Sequence, residues 1–355
     1  MAEKPGVVFH RIRVKEMINR LGSCGWLLLL VLVACGQLPE GIGSNHEIMV
    51  LIDEDQWPRF EGVLRQVFEQ KVFTAQEEKV FVVRRARPEE FDFYKKWKNL
   101  ILLATFDQPG ATAELLEKFL STGAREKIAD GEAYLFTRQN VWARDQEVFF
   151  LAAESESLLT ERLGENSAQL FELMEAALNA KIAEIIYQQG RQPELERRLF
   201  DDYGWTMRIP EGYTIIKELP QERFVWIRRQ QPQRWIFVHW EESQDVAFTT
   251  EGCIQWRDQV GETFYEGDRI VPDRVISEDV AFAGRRALKL SGIWENRNLL
   301  VGGPFRTYFF YDQEAGRRYM VDAAVHAAGT EKEPYLRQVD LIIGTFSTAA
   351  LGDWR

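Results

Sequence analysis

A predicted β-hairpin occupies residues 224–240, which read FVWIRRQQPQRWIFVHW. Two apolar runs, 224–229 and 234–240, lie on either side of Gln230-Gln231-Pro232-Gln233. Runs rich in β-branched and aromatic residues are typical of strands, and a short polar segment with proline is typical of the turn between them. The hairpin therefore indicates an antiparallel sheet in the second half of the chain.

The residues around this hairpin extend the sheet. The further predicted elements of the second half are strands at 205–209 and 213–219, a helix near 254–265, strands at 280–294, 305–311 and 318–326, and a helix that begins at Pro334. The strands at 305–311 and 318–326 are predicted to pair across Gly316. A proline in the first helical turn costs no hydrogen bond, which supports the start of the last helix.

The first half mixes predicted strands and helices. Phe60, Leu64 and Val67 share one face of a helix over 55–70, and a long helix over 167–189 carries one apolar stripe. The other predicted elements are strands at 47–52, 80–83 and 100–106, a helix at 111–120, and a hairpin made by 134–136 and 148–151. This order predicts an α+β protein with two domains, each a mostly antiparallel sheet packed with helices, the second more β-rich.

The predicted boundary between the domains is a linker at 191–204, where glycine, proline and charged residues cluster. The N-terminal α+β domain is predicted to span 46–190 and the C-terminal α+β domain 205–349. Two domains are expected because a chain of 355 residues exceeds the size that one hydrophobic core usually organises.

The first 34 residues have the three parts of an export signal. An apolar run at 26–33 is shorter than the roughly 20 residues that a membrane-spanning helix needs. The basic residues that precede it are Lys4, Arg11, Arg13, Lys15 and Arg20. Translation from Met17 gives a leader of ordinary length, so we predict Met17 as the true start.

The apolar run ends in Leu32-Val33-Ala34-Cys35-Gly36, which resembles the bacterial lipobox. The resemblance implies that the Cys35 thiol receives a diacylglyceryl group and that residues 1–34 are cleaved off as a signal peptide. Each buried CH₂ of an acyl chain contributes about 0.8 kcal/mol, so several chains attach a protein lastingly to a bilayer. The alternative is a buried cysteine at the end of a core helix.

Residues 35–45 are rich in glycine and polar residues, and we interpret them as a tether. No aspartate directly follows Cys35. By analogy with bacterial lipoproteins this favours the outer membrane over the inner one, and the periplasmic and the surface face both stay open. The expected location is thus the cell envelope, with membrane lipid as a partner through the acylated Cys35.

The formal net charge of −11 at pH 7 excludes nucleic acid as an expected partner, because an acidic surface repels a polyanion. Besides lipid, an envelope protein or a glycan is the expected partner. Cys253 could be a nucleophile at the start of a helix, but that chemistry needs a nearby histidine base. A buried structural cysteine is the favoured interpretation.

The paired glycines of Gly302-Gly303-Pro304-Phe305 form the most distinctive local motif. Glycine allows positive φ or close approach of another group, and proline fixes the exit of the segment. We predict either a loop that contacts a partner or ligand, or a tight turn into the Phe305 strand.

Two histidines are the remaining candidates for chemistry. His239 and Glu241 share one face of a regular strand, as do Asp322 and His326. A metal site needs three or four converging ligands, so ordinary strand residues are the favoured interpretation and no metal or cofactor is predicted. The motifs of serine hydrolases and of phosphate-binding loops do not occur in the sequence, and no catalytic residue is assigned.

Four segments resemble an uncharacterised bacterial lipoprotein family, domain of unknown function 4837. They are residues 207–213, 224–228, 290–295 and 302–305, with a weaker match at Asn99-Leu100-Ile101. The resemblance implies an envelope lipoprotein and no particular activity. The leading hypothesis is a non-enzymatic binding or scaffold protein for a protein or cell-wall partner.

Two other functions stay open at this point. A glycan-binding module would use tryptophan rings, and a hydrolase of the envelope would use carboxylates or His239. The strand tryptophans are Trp226, Trp235, Trp240 and Trp294. Because neighbouring residues of a strand alternate between its faces, these rings cannot all line one platform, and most are predicted to be core.

Overall fold

The computed structural model describes residues 38–74, 76–108, 110–243, 247–264 and 266–349. Its strands are β1 (Glu47–Leu51), β2 (Lys71–Phe73), β3 (Glu77–Lys79), β4 (Val82–Ala86), β5 (Asn99–Thr105), β6 (Leu135–Gln139), β7 (Glu147–Ala153), β8 (Thr214–Leu219), β9 (Phe224–Arg229), β10 (Gln233–Glu242), β11 (Arg269–Phe282), β12 (Arg285–Asn296), β13 (Val301–Asp312) and β14 (Arg317–His326). Its α-helices are α1 (Trp57–Phe68), α2 (Phe91–Tyr94), α3 (Ala111–Phe119), α4 (Thr122–Ala129), α5 (Glu156–Glu165), α6 (Ser167–Tyr187), α7 (Pro193–Tyr203), α8 (Thr250–Phe264) and α9 (Glu333–Ile343).

The first sheet has the strand order β4-β1-β5-β7-β6. Strand β1 pairs in parallel with β4 and β5, and β5 pairs in parallel with β7. The antiparallel partners in this sheet are β6 and β7, which confirms the hairpin predicted at 134–136 and 148–151. The prediction that the first sheet is mostly antiparallel is therefore wrong.

The apolar runs of the first half explain the parallel pairing. Every residue of β5 and β7 is buried, because helices cover both faces of the sheet. Ile48 and Val50 of β1 pack in one core with α1, α5 and α6, while Met49 and Leu51 pack in another with α3 and α4. Continuous apolar runs are typical of parallel strands that are buried on both faces.

The second sheet has the order β11-β12-β13-β14-β10-β9-β8, and all of its neighbouring strands are antiparallel. Strands β9 and β10 form the hairpin that the sequence predicts, with Trp226 opposite Phe237. The predicted pairing of β13 with β14 is also confirmed. The α+β class, with more β structure in the second half, is thus correct.

The segments predicted as tether and linker contact the rest of the fold. The described part of the tether lies beside the first sheet, since the Ile42 amide donates to the Lys96 carbonyl and the Arg144 amide to the Pro39 carbonyl. Helix α7 occupies most of the linker and ends at Gly204, whose φ of 75° suits glycine. The domain boundaries themselves stay a prediction.

Helix α9 lies between the two halves of the chain. Leu336, Val339 and Ile342 bury its apolar side in a core that contains residues of both sheets. On another side of α9, the Arg337 guanidinium donates to Glu175 Oε1 at 2.9 Å and to Asn179 Oδ1 at 2.6 Å, both on α6. The helix therefore joins the halves through apolar and through polar contacts.

The first turn of α9 is held by a carboxylate from the first half. Glu78 Oε2 accepts the Lys332 amide at 2.8 Å and the Glu333 amide at 2.7 Å, and Glu78 is buried. His46 Nδ1 lies 3.4 Å from Glu333 Oε2. The amides of a first helical turn lack partners within the helix and favour a negative charge, so Glu78 caps α9 across the boundary.

We predict that Glu78→Ala lowers the free energy of unfolding by about 1–2 kcal/mol, since two buried amides lose their acceptor. Urea denaturation measures this change. The matched control is Glu77→Ala, because the Glu77 side chain is 64% exposed and pairs with Lys71 at the surface. Equal losses in the two variants would contradict the capping role of Glu78.

Candidate functional site

The glycine-rich motif lies inside β13, with Gly302 opposite Glu295 and Gly303 opposite Trp294. The prediction of a loop or a tight turn at these residues is therefore wrong. A Cβ on Gly303 would lie 1.9 Å from the Val325 carbonyl oxygen, so neighbouring strands approach too closely for any side chain there. The glycines serve strand packing, and a role of the motif in binding stays a prediction.

The structure separates the two candidate histidines. His326 Nδ1 lies 3.3 Å from the Gly302 carbonyl oxygen at the end of the second sheet. His239 is buried beside Trp256, with ring centroids 5.6 Å apart, and burial lowers the pKa of His239 to about 4. His239 is consequently neutral at pH 7.

The carboxylates predicted beside these histidines have arginine partners. Glu241 accepts from Arg318 Nε at 2.7 Å, and the Arg318 guanidinium lies 4.5 Å from the ring centroid of Trp256. Asp322 accepts from Arg257 Nε at 2.9 Å and Nη2 at 3.1 Å. Within the described residues, no group of three or more His, Cys, Asp or Glu is arranged to hold a metal ion.

The Arg257–Asp322 pair is the most buried charge pair described, with side-chain exposures of 2% and 0%. Thr307 Oγ1 donates to Asp322 at 2.7 Å, and Phe305 lies under the Arg257 guanidinium at 4.1 Å from the ring centroid. Removing one partner of such a pair typically costs about 3–5 kcal/mol, because the other charge stays buried. Asp322 thus fixes α8 on the second sheet.

Cys253 and the strand tryptophans belong to the core. Burial raises the pKa of the Cys253 thiol to about 12, so the thiolate needed for nucleophilic attack does not form near neutral pH. The tryptophans at 226, 235, 240 and 294 are all buried. These four rings therefore form no exposed platform for a sugar.

A cleft of about 750 Å³ lies where the halves meet, between α6, α9 and strands β12 and β13. This volume is in the range of small-molecule sites, which often form between domains. The charged residues that line it are Glu175, Glu184, Arg208, Lys289, Arg306, Arg337 and Asp340. A second cleft, of about 350 Å³, shares Glu175, Lys289, Arg306 and Arg337, so these four side chains lie between the two spaces.

Two ion pairs hold charged residues of this interdomain cleft in place, Arg306 with Asp340 and Arg337 with Glu175. Arg306 donates to Asp340 Oδ2, and the Tyr308 hydroxyl donates to Asp340 Oδ1 at 2.9 Å. Burial, followed by the charge of Asp340, raises the pKa of Tyr308. Lys289 Nζ lies 3.4 Å from Glu278 Oε2. The cleft thus presents fixed groups of both charge signs.

The turn between β12 and β13, residues 297–300, exposes two leucines. Leu299 is 56% and Leu300 89% exposed, the latter being the most exposed large apolar residue described. Leu300 has a φ of 55°, in the left-handed region. This conformation costs a leucine roughly 1–2 kcal/mol, whereas glycine or asparagine adopts it readily.

A buried asparagine shapes this hairpin tip. Asn296 Oδ1 accepts the amides of Asn298 at 3.1 Å and Leu299 at 2.9 Å. Asn296 Nδ2 donates to the Glu266 carbonyl at 2.9 Å and to Asp268 Oδ1 at 2.8 Å. Asn296 itself is 1% exposed, so the turn is anchored in the interior.

The predicted leader and lipobox, residues 1–36 with Cys35, lie outside the described residues. None of the described helices is both long enough and apolar enough to span a bilayer. Attachment through Cys35 therefore stays a prediction.

Residues 192–345 match the model of a family described as a domain of unknown function (DUF4837), which confirms the resemblance to that domain read from the sequence. Residues 41–187 match the model of another domain of unknown function, DUF8532. The interdomain cleft takes Glu175 and Glu184 from the DUF8532 match at 41–187, and Arg208, Lys289 and Asp340 from the DUF4837 match at 192–345. Its lining therefore comes from both matched regions.

No curated protein matches the sequence. One similar solved structure is LpqN of Mycobacterium tuberculosis, described as involved in cell envelope biogenesis, with 14% identity, a TM-score of 0.28, and coverage of 40% of this chain and 82% of that one. Another is the Saccharomyces cerevisiae Ran-binding protein Mog1p, with 12% identity, a TM-score of 0.29, and coverage of 41% and 90%. The roles in these descriptions are those of LpqN and Mog1p.

We predict that Asp268 makes stability depend on pH. Burial raises the pKa of Asp268 from 3.8 to about 6, against the opposing effect of the hydrogen bond from Asn296. The folded protein therefore binds this proton more tightly than the unfolded chain does. The resulting stabilisation is complete below about pH 4 and is lost as the pH rises through 6.

The variant Asp268→Asn lacks this pH-dependent contribution to stability. The difference in free energy of unfolding, variant minus wild type, should therefore rise by about 1–3 kcal/mol from pH 4 to pH 7.5. Urea denaturation at both pH values measures the difference, with Asp130→Asn at an exposed helix end as the control. A difference that does not vary with pH would show that Asp268 is charged in the folded protein throughout.

Proposed function

We propose that this chain is a binding protein of the cell envelope, attached to a membrane through acylated Cys35. The leader, the apolar run at 26–33 and the lipobox support the location. The ligand is a small polar molecule, and it binds in the interdomain cleft. The observation that carries this proposal is the fixed arrangement of both charge signs in a cleft of about 750 Å³.

The charges of the cleft determine the class of ligand. Its lining includes four cationic side chains, Arg208, Lys289, Arg306 and Arg337, and three carboxylates, Glu175, Glu184 and Asp340. A ligand of one charge sign meets like charges in this cleft, whereas a zwitterion matches both sets. Short peptides with free ammonium and carboxylate groups, such as those of the bacterial cell wall, have this chemistry.

Binding is favoured over catalysis by the state of the candidate catalytic groups. Two of the three carboxylates of the site, Glu175 and Asp340, are bound by arginines. His239 is buried on the other side of the second sheet, in the core with α8. A hydrolase using His239 and a glycan module using the strand tryptophans both require groups that the fold buries.

The test is calorimetric titration of the full chain with a synthetic cell-wall stem peptide. We expect saturable binding of the peptide with free termini, and at least tenfold weaker binding of the same peptide acetylated and amidated. The variant Arg208→Gln/Lys289→Gln should weaken binding at least tenfold, because both side chains line the cleft and are two of its four cationic groups.

The matched control is Lys118→Gln, which removes an exposed lysine of α3 on the far side of the first sheet. Equal affinity for the blocked and the free peptide would contradict the proposal that the ligand is a zwitterion. Unchanged affinity of the Arg208→Gln/Lys289→Gln variant would show that the peptide binds outside this cleft.

Lipid attachment is tested separately, by labelling cells that express the chain with radioactive palmitate. We expect incorporation into the wild type and into Cys24→Ser, and none into Cys35→Ser, because the lipobox places the acylated thiol at position 35. Label retained in Cys35→Ser would exclude the proposed attachment and leave the ligand proposal standing.

A further inference from the structure

We infer that the hairpin tip, residues 297–300, inserts its two leucines into the surface of a phospholipid bilayer. The inference rests on the envelope location proposed above, and it concerns a second contact with the membrane beside Cys35. The tip is distinct from the interdomain cleft, since none of its four residues lines that cleft.

The tip presents its leucines in a fixed position. Leu300 is 89% exposed, and its neighbour Leu299 is 56% exposed. The Asn298 and Leu299 amides are held by Asn296, which is buried and bound in turn to Asp268. A flexible turn could fold its apolar side chains back onto the sheet, but this anchoring keeps them outward.

The backbone conformation at Leu300 indicates that the leucine side chain has a functional role at this position. A φ of 55° is unfavourable for leucine and favourable for asparagine or glycine, the usual residues of such turns. The chain thus carries strain and exposed apolar surface at the same residue. Strained residues that persist are concentrated at functional sites.

The size and shape of the tip fit a lipid surface. A stable protein interface buries about 800 Å² on each partner, far more than two leucines on one turn supply. A bilayer accepts a protruding apolar group without a complementary shape. Arg297 is 86% exposed and bound to Glu295 at 2.7 Å, so the tip brings little net charge and suits zwitterionic lipid.

Strand β13 begins next to the Leu300 tip, and the turn at its other end serves as an internal control. The turn between β13 and β14 exposes Gln313 and Glu314, which are polar. Strand β13 has 12 residues, so the two turns lie roughly 35–40 Å apart. A bilayer that contacts the Leu300 tip therefore leaves the Glu314 turn in water, provided that the sheet does not lie flat on the membrane.

The experiment places an environment-sensitive fluorophore on Leu300→Cys or on Glu314→Cys, in the full chain with Cys24→Ser and Cys35→Ser. Cys253 is 2% exposed and stays unlabelled in the folded protein. The probe is mixed with phosphatidylcholine vesicles that contain lipids bearing a quencher below the head groups. We expect a blue shift and quenching at residue 300 and neither at residue 314.

Equal responses at the two positions, or none at residue 300, overturn the inference. The labelled chain carries Cys35→Ser and cannot be acylated there, so quenching at residue 300 supports the hairpin contact whether or not the wild type takes up palmitate. Absence of quenching overturns the hairpin contact even when the wild type takes up palmitate at Cys35, so the two proposals fail separately. A response at residue 300 to an envelope extract depleted of lipid, without one to vesicles, assigns the tip to a protein partner instead.

A second measurement separates binding from folding. Leu299→Ser/Leu300→Asn should reduce vesicle partitioning at least tenfold, since each leucine contributes about tenfold when it leaves water. The midpoint of urea unfolding should stay unchanged or rise, because asparagine tolerates the φ of residue 300. The matched control, Ile185→Ser on the 50% exposed Ile185 of α6, should leave partitioning unchanged. Undiminished partitioning of the double variant would contradict the role of the leucines.

Discussion

The packing of α9 between the two sheets is the contact on which the rest of the structure depends. Its apolar side completes a core that both halves share, and its first turn is capped by Glu78 of the first half. Arg337 then ties the same helix to α6. Because the apolar contacts fix where α9 lies, they also fix where its charged residues stand, and the interdomain cleft is formed by those residues.

The distribution of charge follows from the same packing. Asp340 of α9 faces the sheet at Arg306 and Tyr308, where a carboxylate without partners would be costly to bury. On the opposite face of the second sheet, Arg257 donates two hydrogen bonds to Asp322, so each buried charge has a partner there as well. Polar groups in both places are fixed by hydrogen bonds, but only those around α9 border an open space.

The antiparallel second sheet could be predicted from the sequence because local patterns encode it. Alternating strands and a turn such as Gln230-Gln231-Pro232-Gln233 lie next to each other in the chain, so the pairing is local. The direction of β1 against β5 is not encoded in this way. An uninterrupted apolar run such as 100–103 indicates burial on both faces, which is the condition that parallel strands meet.

The candidate site residues also depend on contacts between distant parts of the chain, which local sequence patterns do not encode. The sequence drew attention to Gly302 and Gly303, whose reason is the close approach of the Val325 backbone, a contact between distant residues. The neighbouring leucines at 299 and 300 were missed, although an apolar run at 299–301 between the polar residues 295–298 and two glycines is unusual for a turn. The interdomain cleft had no local pattern at all, since its charges come from α6, α9 and the second sheet.

The late position of α9 in the chain has a consequence for biogenesis. A ribosome releases the first half before residues 333–343, so the surface that α9 covers stays open until α9 itself has emerged. The first half thus has a period in which apolar surface is available to chaperones or to other unfinished chains. The cleft is completed in the same step, because α9 supplies part of its lining.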